Sequence, residues 1–291
     1  MATTSGNKNR RQENWAEFRR NRAGLFGLVL LAVVIALALL APLLVPADRL
    51  DVTKLTAAPN EAPSGGHLLG TDPMGRDVLS MLLWGSRISL LVGFTASLMS
   101  MLIGTTVGMI AGHLTGFGQW LMLRLIDFFL IVPHLVLAIV LSTVLSRGVL
   151  TIIIAIGVTS WAGTARVVRS QTLSVEARPY IERSRALGAN GRQILMWHVL
   201  PSVMPLMLAN TTLAVGSAII AESTLSFLGL GDATVISWGS MLKSALDTGA
   251  ATAGYWWFVL PPGLAIVAVV LCFTLVGRAL ESVVNPTLRR R

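Results

Sequence analysis

The chain has 291 residues, of which 54% are hydrophobic and only 13% charged, and its mean hydropathy is +0.71. Soluble domains are about one quarter charged, so this composition excludes an ordinary soluble domain and places the chain in the membrane class. The formal net charge of +9 does not indicate nucleic-acid binding, because the basic residues lie at the ends of hydrophobic runs, as topology determinants do.

Six apolar runs approach or exceed the length of about 20 residues that a membrane-spanning helix requires. We predict spans at residues 23–47, 88–112, 126–145, 149–165, 204–228 and 256–276. The first run follows a basic segment, as a signal-peptide core does, but it is too long for such a core and further spans follow. We therefore expect an uncleaved anchor and an all-α polytopic membrane protein with six transmembrane helices.

Lysine and arginine are concentrated where cytoplasmic segments are expected. Residues 1–22 hold six of them, residues 166–201 hold six arginines, and residues 289–291 are all arginine, whereas residues 48–77 hold five acidic against three basic residues. Both termini are therefore predicted to be cytoplasmic. The predicted parts are a cytoplasmic segment at 1–22, the first helix at 23–47, a periplasmic or extracellular segment at 48–87, a five-helix core at 88–283 with a cytoplasmic loop at 166–201, and a basic tail at 284–291.

Glycines and helix breakers shape the predicted spans. The second span holds Gly104, Gly108, Gly112 and Gly116, each four residues apart, so on one helix they would share a face that another backbone can approach closely. We interpret this face as helix packing. Helix breakers interrupt three later spans, at Pro133, at Gly229 and Gly231, and at Pro261 and Pro262.

Few ionisable residues lie within the spans, and each is a candidate for a transport role. Arg124 and Asp127 are one helical turn apart and can pair, which is equally compatible with a structural ion pair at the cytoplasmic end. His134 follows the proline in the third span, and Glu222 lies near the outer end of the fifth. Asp127 and Glu222 are thus the candidates for coupling to an ion gradient, although they lie near opposite membrane faces.

The sequence lacks the motifs of several enzyme classes. It contains no GxxxxGK[ST] loop, HExxH, CxxC or GxSxG. Cys272 is the one cysteine and lies in an apolar run, and the four histidines, His67, His113, His134 and His198, fall on different predicted sides of the membrane. We therefore expect no catalytic residue, metal site or cofactor in this chain.

The cytoplasmic loop contains an organised basic hairpin, "ERSRALGANGRQILMWHVLP" from Glu182 to Pro201. It predicts a short helix, a break at Gly188, and a second helix that runs to Pro201. Ala186 and Leu187 offer an apolar contact, so the first helix could dock into a groove of a soluble partner and transmit its motion to the spans. The arginines leave open an alternative, a helix lying on anionic lipid.

This hairpin resembles the cytoplasmic coupling loop of ABC importer permeases, which reads E-A-A, three residues, G, and ends near Leu-Pro. The residues that match that pattern are Glu182, Gly188, Ile194, His198, Leu200 and Pro201. Arg183 and Ser184 replace the two alanines, so the partner groove would have to accept larger and charged groups there. The resemblance implies that an ATPase contacts the residues Glu182, Arg183, Ser184, Arg185, Ala186, Leu187, Gly188 and Ala189.

Other stretches resemble the C-type permease of dipeptide, oligopeptide and nickel importers, namely "HLLGTDPMGRDVLSMLLWGSRISL", "SWAGTARVVRSQTLS", "AESTLSFLGLG", "SWGSML" and "WWFVLPPGLAI". This resemblance implies a second homologous permease, two ATPase subunits that bind ATP and Mg²⁺, and an external substrate-binding protein, all in a bacterial cytoplasmic membrane. It also implies structural or partner-contact roles in the outer loop for Thr71, Asp72, Gly75, Arg76 and Asp77.

Three functions remain open at this point. The resemblance favours an ATP-driven importer subunit, for which Gly188→Asp is expected to abolish uptake while the chain still inserts. A self-sufficient secondary transporter and a membrane scaffold are the alternatives, and export is conceivable for ABC permeases in general. The subgroup's cargo includes dipeptides, longer peptides, glutathione-like molecules, nickel complexes and haem, and the sequence does not choose among them.

Overall fold

The computed structural model describes residues 18–54 and 57–284, and within these ranges the chain is helical, with one isolated bridge between Thr71 and Asp77. The predictions for residues 1–17 and 285–291 lie outside the described residues. The helices are α1 Arg22–Leu44, α2 Val78–His113, α3 Gly116–Ile131, α4 His134–Val144, α5 Val149–Thr159, α6 Ala162–Glu176, α7 Pro179–Ala186, α8 Gly191–Ile194, α9 Leu200–Phe227, α10 Trp238–Asp247 and α11 Trp256–Val284.

Four continuous helices have the length and hydropathy to cross a membrane: Arg22–Leu44, Val78–His113, Gly191–Phe227 and Trp256–Val283. Two bent pairs reach the same criterion when each is taken as one span: α3 with α4, bent by 88°, and α5 with α6, bent by 41°. By length and composition the described chain therefore has four to six candidate spans. The all-α class predicted from the sequence is confirmed.

Two predicted boundaries differ from those of the structure. The second span begins ten residues earlier than expected, at Val78, because the Asp77 carboxylate caps the helix by accepting a hydrogen bond from the Ser80 N–H at 2.8 Å. The predicted 149–165 span is instead two helices, α5 and α6, which together extend to Glu176. Helix α6 contains several polar residues, so the length of the apolar run underestimates the length of the helix.

The sequence predicted that the second helix of the hairpin would end at Pro201. In the structure this helix is longer. It continues through a π-helical turn at Leu195–Val199 into α9. In this turn the Leu200 N–H bonds to the carbonyl of Leu195, and Pro201, which has no N–H, takes a position in the first turn of α9. The hairpin is therefore rigidly continuous with a long candidate span.

The glycine face of α2 packs closely against α6. A Cβ at Gly104 would lie 2.7 Å from the Trp161 carbonyl oxygen, and one at Gly108 would lie 2.6 Å from that of Ala165. At Gly112 the nearest atoms would be side-chain atoms of Thr172, at 2.8 Å. Gly116 does not share this face: α2 ends at His113, and Gly116 begins α3 with a φ of +64° and open space around it.

Candidate functional site

Helix α7, in the hairpin that the sequence predicts to be cytoplasmic, ends in a Schellman motif. The Gly188 N–H donates to the Arg185 carbonyl at 2.9 Å, and the Ala189 N–H donates to the Ser184 carbonyl at 3.0 Å. Gly188 has a φ of +93°, and a Cβ built there would have no neighbour within 4 Å. The backbone conformation therefore favours glycine at this position, whereas the space around it does not exclude a side chain.

The two faces of α7 have opposite character. Ile181 is fully buried, in a cluster with Ile194, Val199 and residues of α6 and α9. The other face is exposed, and Leu187, directly after the helix, is 89% exposed. Its other exposed residues are Glu182, Arg183, Arg185 and Ala186. Helix α7 thus packs against the bundle through Ile181, and its exposed face carries charged groups and is followed by Leu187.

A carboxylate that the sequence analysis did not single out joins this hairpin to two long helices. The Glu176 Oε1 atom, at the end of α6, lies 2.6 Å from His113 Nδ1 at the end of α2, while Oε2 pairs with the Arg185 guanidinium on α7. Gly191, at the start of α8, packs against the His113 ring so closely that a side chain there would clash. Three helices therefore meet at Glu176, α8 joins them through His113, and no sequence spacing relates these residues.

His198 lies behind α7, in the π-helical turn. Its Nε2 atom lies 3.4 Å from the Ser184 hydroxyl, and its ring centroid lies 5.8 Å from that of Tyr180. The adjacent Met196 and Trp197 are exposed. His198 is thus partly buried and packs against Tyr180 and Ser184 of α7.

In the segment before α2, which the sequence predicts to face outward, Thr71 and Asp72 are fully buried. The Asp72 Oδ1 atom accepts hydrogen bonds from the backbone N–H groups of Met74 and Arg76, at 2.9 and 2.8 Å, and Oδ2 pairs with the Arg76 guanidinium at 2.7 Å. The Thr71 hydroxyl donates to the Ala58 carbonyl at 2.8 Å. These bonds hold the turn internally, which supports a structural role and leaves no free group on Asp72 for a substrate.

Two neighbouring residues complete this turn. Gly75 has a φ of +80°, and a Cβ there would lie 2.6 Å from the Ala57 carbonyl oxygen. Asp77 accepts from the Ser80 N–H and from the Ser80 hydroxyl, and its Oδ1 atom lies 3.2 Å from His67 Nδ1. The Gly-Thr-Asp…Gly-Arg-Asp stretch is therefore one folded unit that ends in the cap of α2.

The ionisable residues considered as transport groups lie in two different environments. Asp127 is partly exposed and lies 3.8 Å from Arg124 and 3.7 Å from Arg166, so the predicted pair exists but contributes little to stability. Glu222 is fully buried and accepts hydrogen bonds from the hydroxyls of Ser89 and Ser226 at 3.0 and 2.8 Å. Asp127 and Glu222 therefore have separate partners and share no hydrogen bond or ion pair.

Glu222 lies where α2, α9 and α10 meet. The hydroxyl of Ser89 on α2 also accepts a hydrogen bond from the Trp238 N–H at the start of α10, at 3.2 Å, so this hydroxyl connects α10 to the carboxyl on α9. The sequence offered one signal, since Ser226 stands one helical turn after Glu222. The contribution of Ser89 required the fold, because it lies 133 residues away.

Within residues 18–54 and 57–284, no group of three or more His, Cys, Asp or Glu side chains is arranged to hold a metal ion. Cys272 is buried in the core between α1, α9, α10 and α11.

Two family models match the chain. One, described as a binding-protein-dependent transport system inner membrane component, matches residues 104–290, and the other, described as the N-terminal TM domain of oligopeptide transport permease C, matches residues 9–63. The first match covers more than half of the chain. The chain therefore belongs to the family of binding-protein-dependent transport system inner membrane components, and the resemblance to C-type permeases is confirmed.

Named relatives align with nearly the whole chain. The dipeptide transport system permease protein DppC of Bacillus subtilis (strain 168) is 36% identical over 96% of this chain and 86% of its own length. The oligopeptide transport system permease protein OppC of the same organism is 36% identical over 94% and 88%. The glutathione transport system permease protein GsiD of Pectobacterium atrosepticum is 34% identical over 96% and 91%. The chain is thus a multi-pass membrane permease of a family that serves peptide transport.

Proposed function

We propose that the chain is one of two transmembrane permease subunits of an ATP-driven importer that moves dipeptides or oligopeptides across the bacterial cytoplasmic membrane. The observation that carries the proposal is α7, a short helix on the polar hairpin between two membrane segments, with one face anchored in the bundle and the other exposed. Two cytoplasmic ATPase subunits bind ATP and Mg²⁺, and an external binding protein delivers the peptide.

In this proposal the ATPase docks on residues 182–189. Closure of the ATPase dimer on ATP would move α7, and the motion would reach the bundle through Ile181 and through Glu176, which contacts both α2 and α7. Rigid-body transmission of this kind requires a stiff connection. The continuous helix from the hairpin into α9 supplies one.

The proposed topology has six spans, counting each bent pair as one, with both termini in the cytoplasm. The outer segment at 48–87 and the loop around α10 would face the binding protein and the second permease. The basic segment at 1–22 and the basic tail at 284–291 would be cytoplasmic, with a lipid surface as their neighbour, and the core at 88–283 would carry the coupling loop at 166–201.

Peptide cargo is proposed because named relatives are permeases of dipeptide and oligopeptide transport systems. The relative named for glutathione transport is itself a permease for a peptide-like molecule. The proposed direction is import, since the family is named for its dependence on binding proteins. Uptake that requires an external binding protein would support this direction, and extrusion without one would contradict it.

The coupling proposal is tested with Gly188→Val and Gly188→Asn as a matched pair. Valine is strongly strained at positive φ, whereas asparagine tolerates this conformation, and the open space around Gly188 admits both side chains. We expect Gly188→Val to lose most ATP-driven peptide uptake in proteoliposomes while inserting normally, and Gly188→Asn to retain most of it. Normal uptake by Gly188→Val would contradict the role of this turn. Gly188→Asp also adds a charge beside the docking surface. It should therefore reduce uptake at least as much as Gly188→Val does.

The subunit composition is tested by purifying the tagged chain from native membranes in mild detergent and identifying its partners by mass spectrometry. A second permease and a P-loop ATPase in stable ratio are expected. If the chain purifies alone while other membrane complexes stay intact, a secondary transporter or a scaffold would be favoured instead. Replacing Asp127 and Glu222 by their amides, with uptake measured against an ion gradient, would then separate these two alternatives.

A further inference from the structure

The two bent helix pairs are interrupted side by side. Val132 and Pro133 separate α3 from α4, and Ser160 and Trp161 separate α5 from α6. The ring centroids of Phe129 and Trp161, one beside each interruption, lie 4.9 Å apart. The two breaks are therefore a single structural feature of the bundle.

Both breaks also lie at a similar depth from the cytoplasmic hairpin. Helix α3 has 16 residues and α6 has 15, which correspond to about 24 and 22 Å. The ends of α3 and α6 that lie away from the breaks are close to each other. Helix α3 begins just after His113, and α6 ends at Glu176, which contacts His113. The breaks thus lie well inside the bundle and away from its cytoplasmic end.

A half-open cavity of about 510 Å³ lies at these breaks, and α2 and α9 form its remaining walls. Its volume is in the range of small-molecule binding sites. The polar side chains that line it include Ser97, Ser100, His134, Asn210 and Ser217. Among the described residues of the lining, none is Asp, Glu, Lys or Arg, so any charge on a bound molecule would have to be balanced by dipoles.

Two helices begin at this cavity. The first residue of α4, His134, and the first three residues of α6, 162–164, line it. The first N–H groups of a helix have no intrahelical acceptor, and the helix dipole makes this end attractive to anions. Neither N-cap residue, Pro133 or Trp161, supplies a capping side chain. Both helix starts thus retain hydrogen-bond donors at the cavity.

A buried hydroxyl gives an independent indication of a ligand. Ser100 on α2 is only 4% exposed and lines the cavity, yet its hydroxyl bonds to no protein group in the described part of the chain. Two neighbours differ, since the Ser97 hydroxyl donates to the Phe94 carbonyl and the Thr159 hydroxyl to the Ala155 carbonyl. Because the rest of the residue is buried and the residue lines the cavity, the Ser100 hydroxyl is free to bond to a molecule that enters it.

We propose that this cavity is a binding site on the translocation pathway for the C-terminal carboxylate of the peptide, held by the helix starts of α4 and α6 and by the Ser100 hydroxyl. The inference rests on the proposed function and deepens it. Asn210 and Ser217 supply further hydrogen bonds for peptide amides. Because the lining carries no fixed charge, it recognises features common to all peptides and does not select among side chains.

The test uses the complete purified complex and single cysteines in a Cys272→Ser background. Ser217→Cys and Asn210→Cys report on the cavity, and Val140→Cys, exposed on α4 outside the lining, is the matched control. The rate of labelling by N-ethylmaleimide is measured with trialanine and with trialanine amide. We expect trialanine to slow labelling of both cavity cysteines about fivefold more than the amide does, with no effect at Val140→Cys.

A second pair of variants tests the hydroxyl itself. In the Ser217→Cys protein, Ser100→Ala should raise the trialanine concentration for half-maximal protection severalfold, and Ser142→Ala should not change it. Ser142 is an equally buried hydroxyl on α4 that lies outside the lining and has no hydrogen-bond partner. Equal effects of the two substitutions would contradict a role for Ser100 in binding.

Two results would overturn the inference. Equal protection by the acid and the amide would refute the carboxylate assignment, and no protection at either cysteine would refute the cavity as a peptide site. The same preparation is reconstituted with its binding protein and tested for uptake of trialanine. Normal uptake in either case would leave the proposed function intact, whereas absence of uptake would remove the proposed function and this inference with it.

Discussion

The turn at residues 57–77, predicted to face outward, and the hairpin at 179–198, predicted to be cytoplasmic, are both polar segments next to candidate membrane helices, yet they are built differently. The outer turn satisfies its charges internally, with Asp72 fully buried and bonded to Arg76 and to two backbone N–H groups. The hairpin exposes its charges and is anchored chiefly through Ile181 and Glu176. The first arrangement suits a fixed scaffold, and the second suits a surface that a partner grips and moves.

The largest effect is expected for Asp72→Ala. It would leave the largely buried Arg76 guanidinium unpaired and remove acceptors for two backbone N–H groups, a loss of about 3–5 kcal/mol. We expect rapid proteolysis of the outer segment and a low yield of folded protein. Asp232→Ala is the control, because its carboxylate bonds only to the exposed Thr234 nearby. Equal protease resistance of the two variants would contradict the difference between the segments.

A comparison of Gly75→Ala with Gly188→Ala separates backbone strain from steric clash. Both glycines have positive φ, but only the Cβ at Gly75 would approach another atom, the Ala57 carbonyl oxygen. We expect the free energy of unfolding to fall by about 2–4 kcal/mol for Gly75→Ala and by about 1–2 kcal/mol for Gly188→Ala. Thermal unfolding of the detergent-solubilised variants measures this. A larger loss at Gly188 would show that the hairpin is the more constrained segment.

Glu176→Gln tests the anchor of the hairpin. The charge-assisted bonds to Arg185 and His113 would be weakened, at a cost of about 1.5–3 kcal/mol. Peptide uptake per ATP hydrolysed should fall severalfold, because α7 would move with less effect on α2. Glu182→Gln, a change of the same size on the exposed face, should affect ATPase docking and leave the unfolding temperature unchanged. If Glu176→Gln transports peptide normally, the Glu176 connection does not transmit motion from α7 to α2.

The smallest effect is expected for Asp127→Asn. Asp127 and both of its arginine partners are partly or largely exposed, and exposed pairs contribute about 0–1 kcal/mol. Thermal unfolding and ATP-driven uptake should both be close to those of the unmodified chain. A strong loss of uptake with unchanged stability would instead identify Asp127 as a transport group and revive the secondary-transporter alternative.

Much of the fold followed from apolar run length, because a helix in lipid must satisfy its backbone internally and its length is set by the bilayer. The errors occurred where helices extend beyond the apolar runs. Helix α2 begins at Val78 because Asp77 caps it, and α6 continues through polar residues to Glu176. A search for uninterrupted hydrophobicity detects neither feature.

The candidate site likewise has some features that the sequence could predict and others that it could not. The turn at Gly188 and the roles of Gly104, Gly108 and Gly112 could be proposed from spacing, since glycine either adopts positive φ or permits close packing. The contacts of Glu176 with His113 and of Glu222 with Ser89 could not be, because they join residues 63 and 133 positions apart. Pairs at such separations are brought together only by helix packing.

The sequence by itself determined the membrane class, the family and the place of the hairpin, because these depend on hydrophobic length, charge distribution and local motifs. The tertiary structure alone decided that Glu176 joins three helices and that the breaks at Pro133 and Trp161 meet beside one cavity. Both arrangements depend on how the helices bend and pack, and the free energy of that packing is spread over contacts between residues distant in the chain.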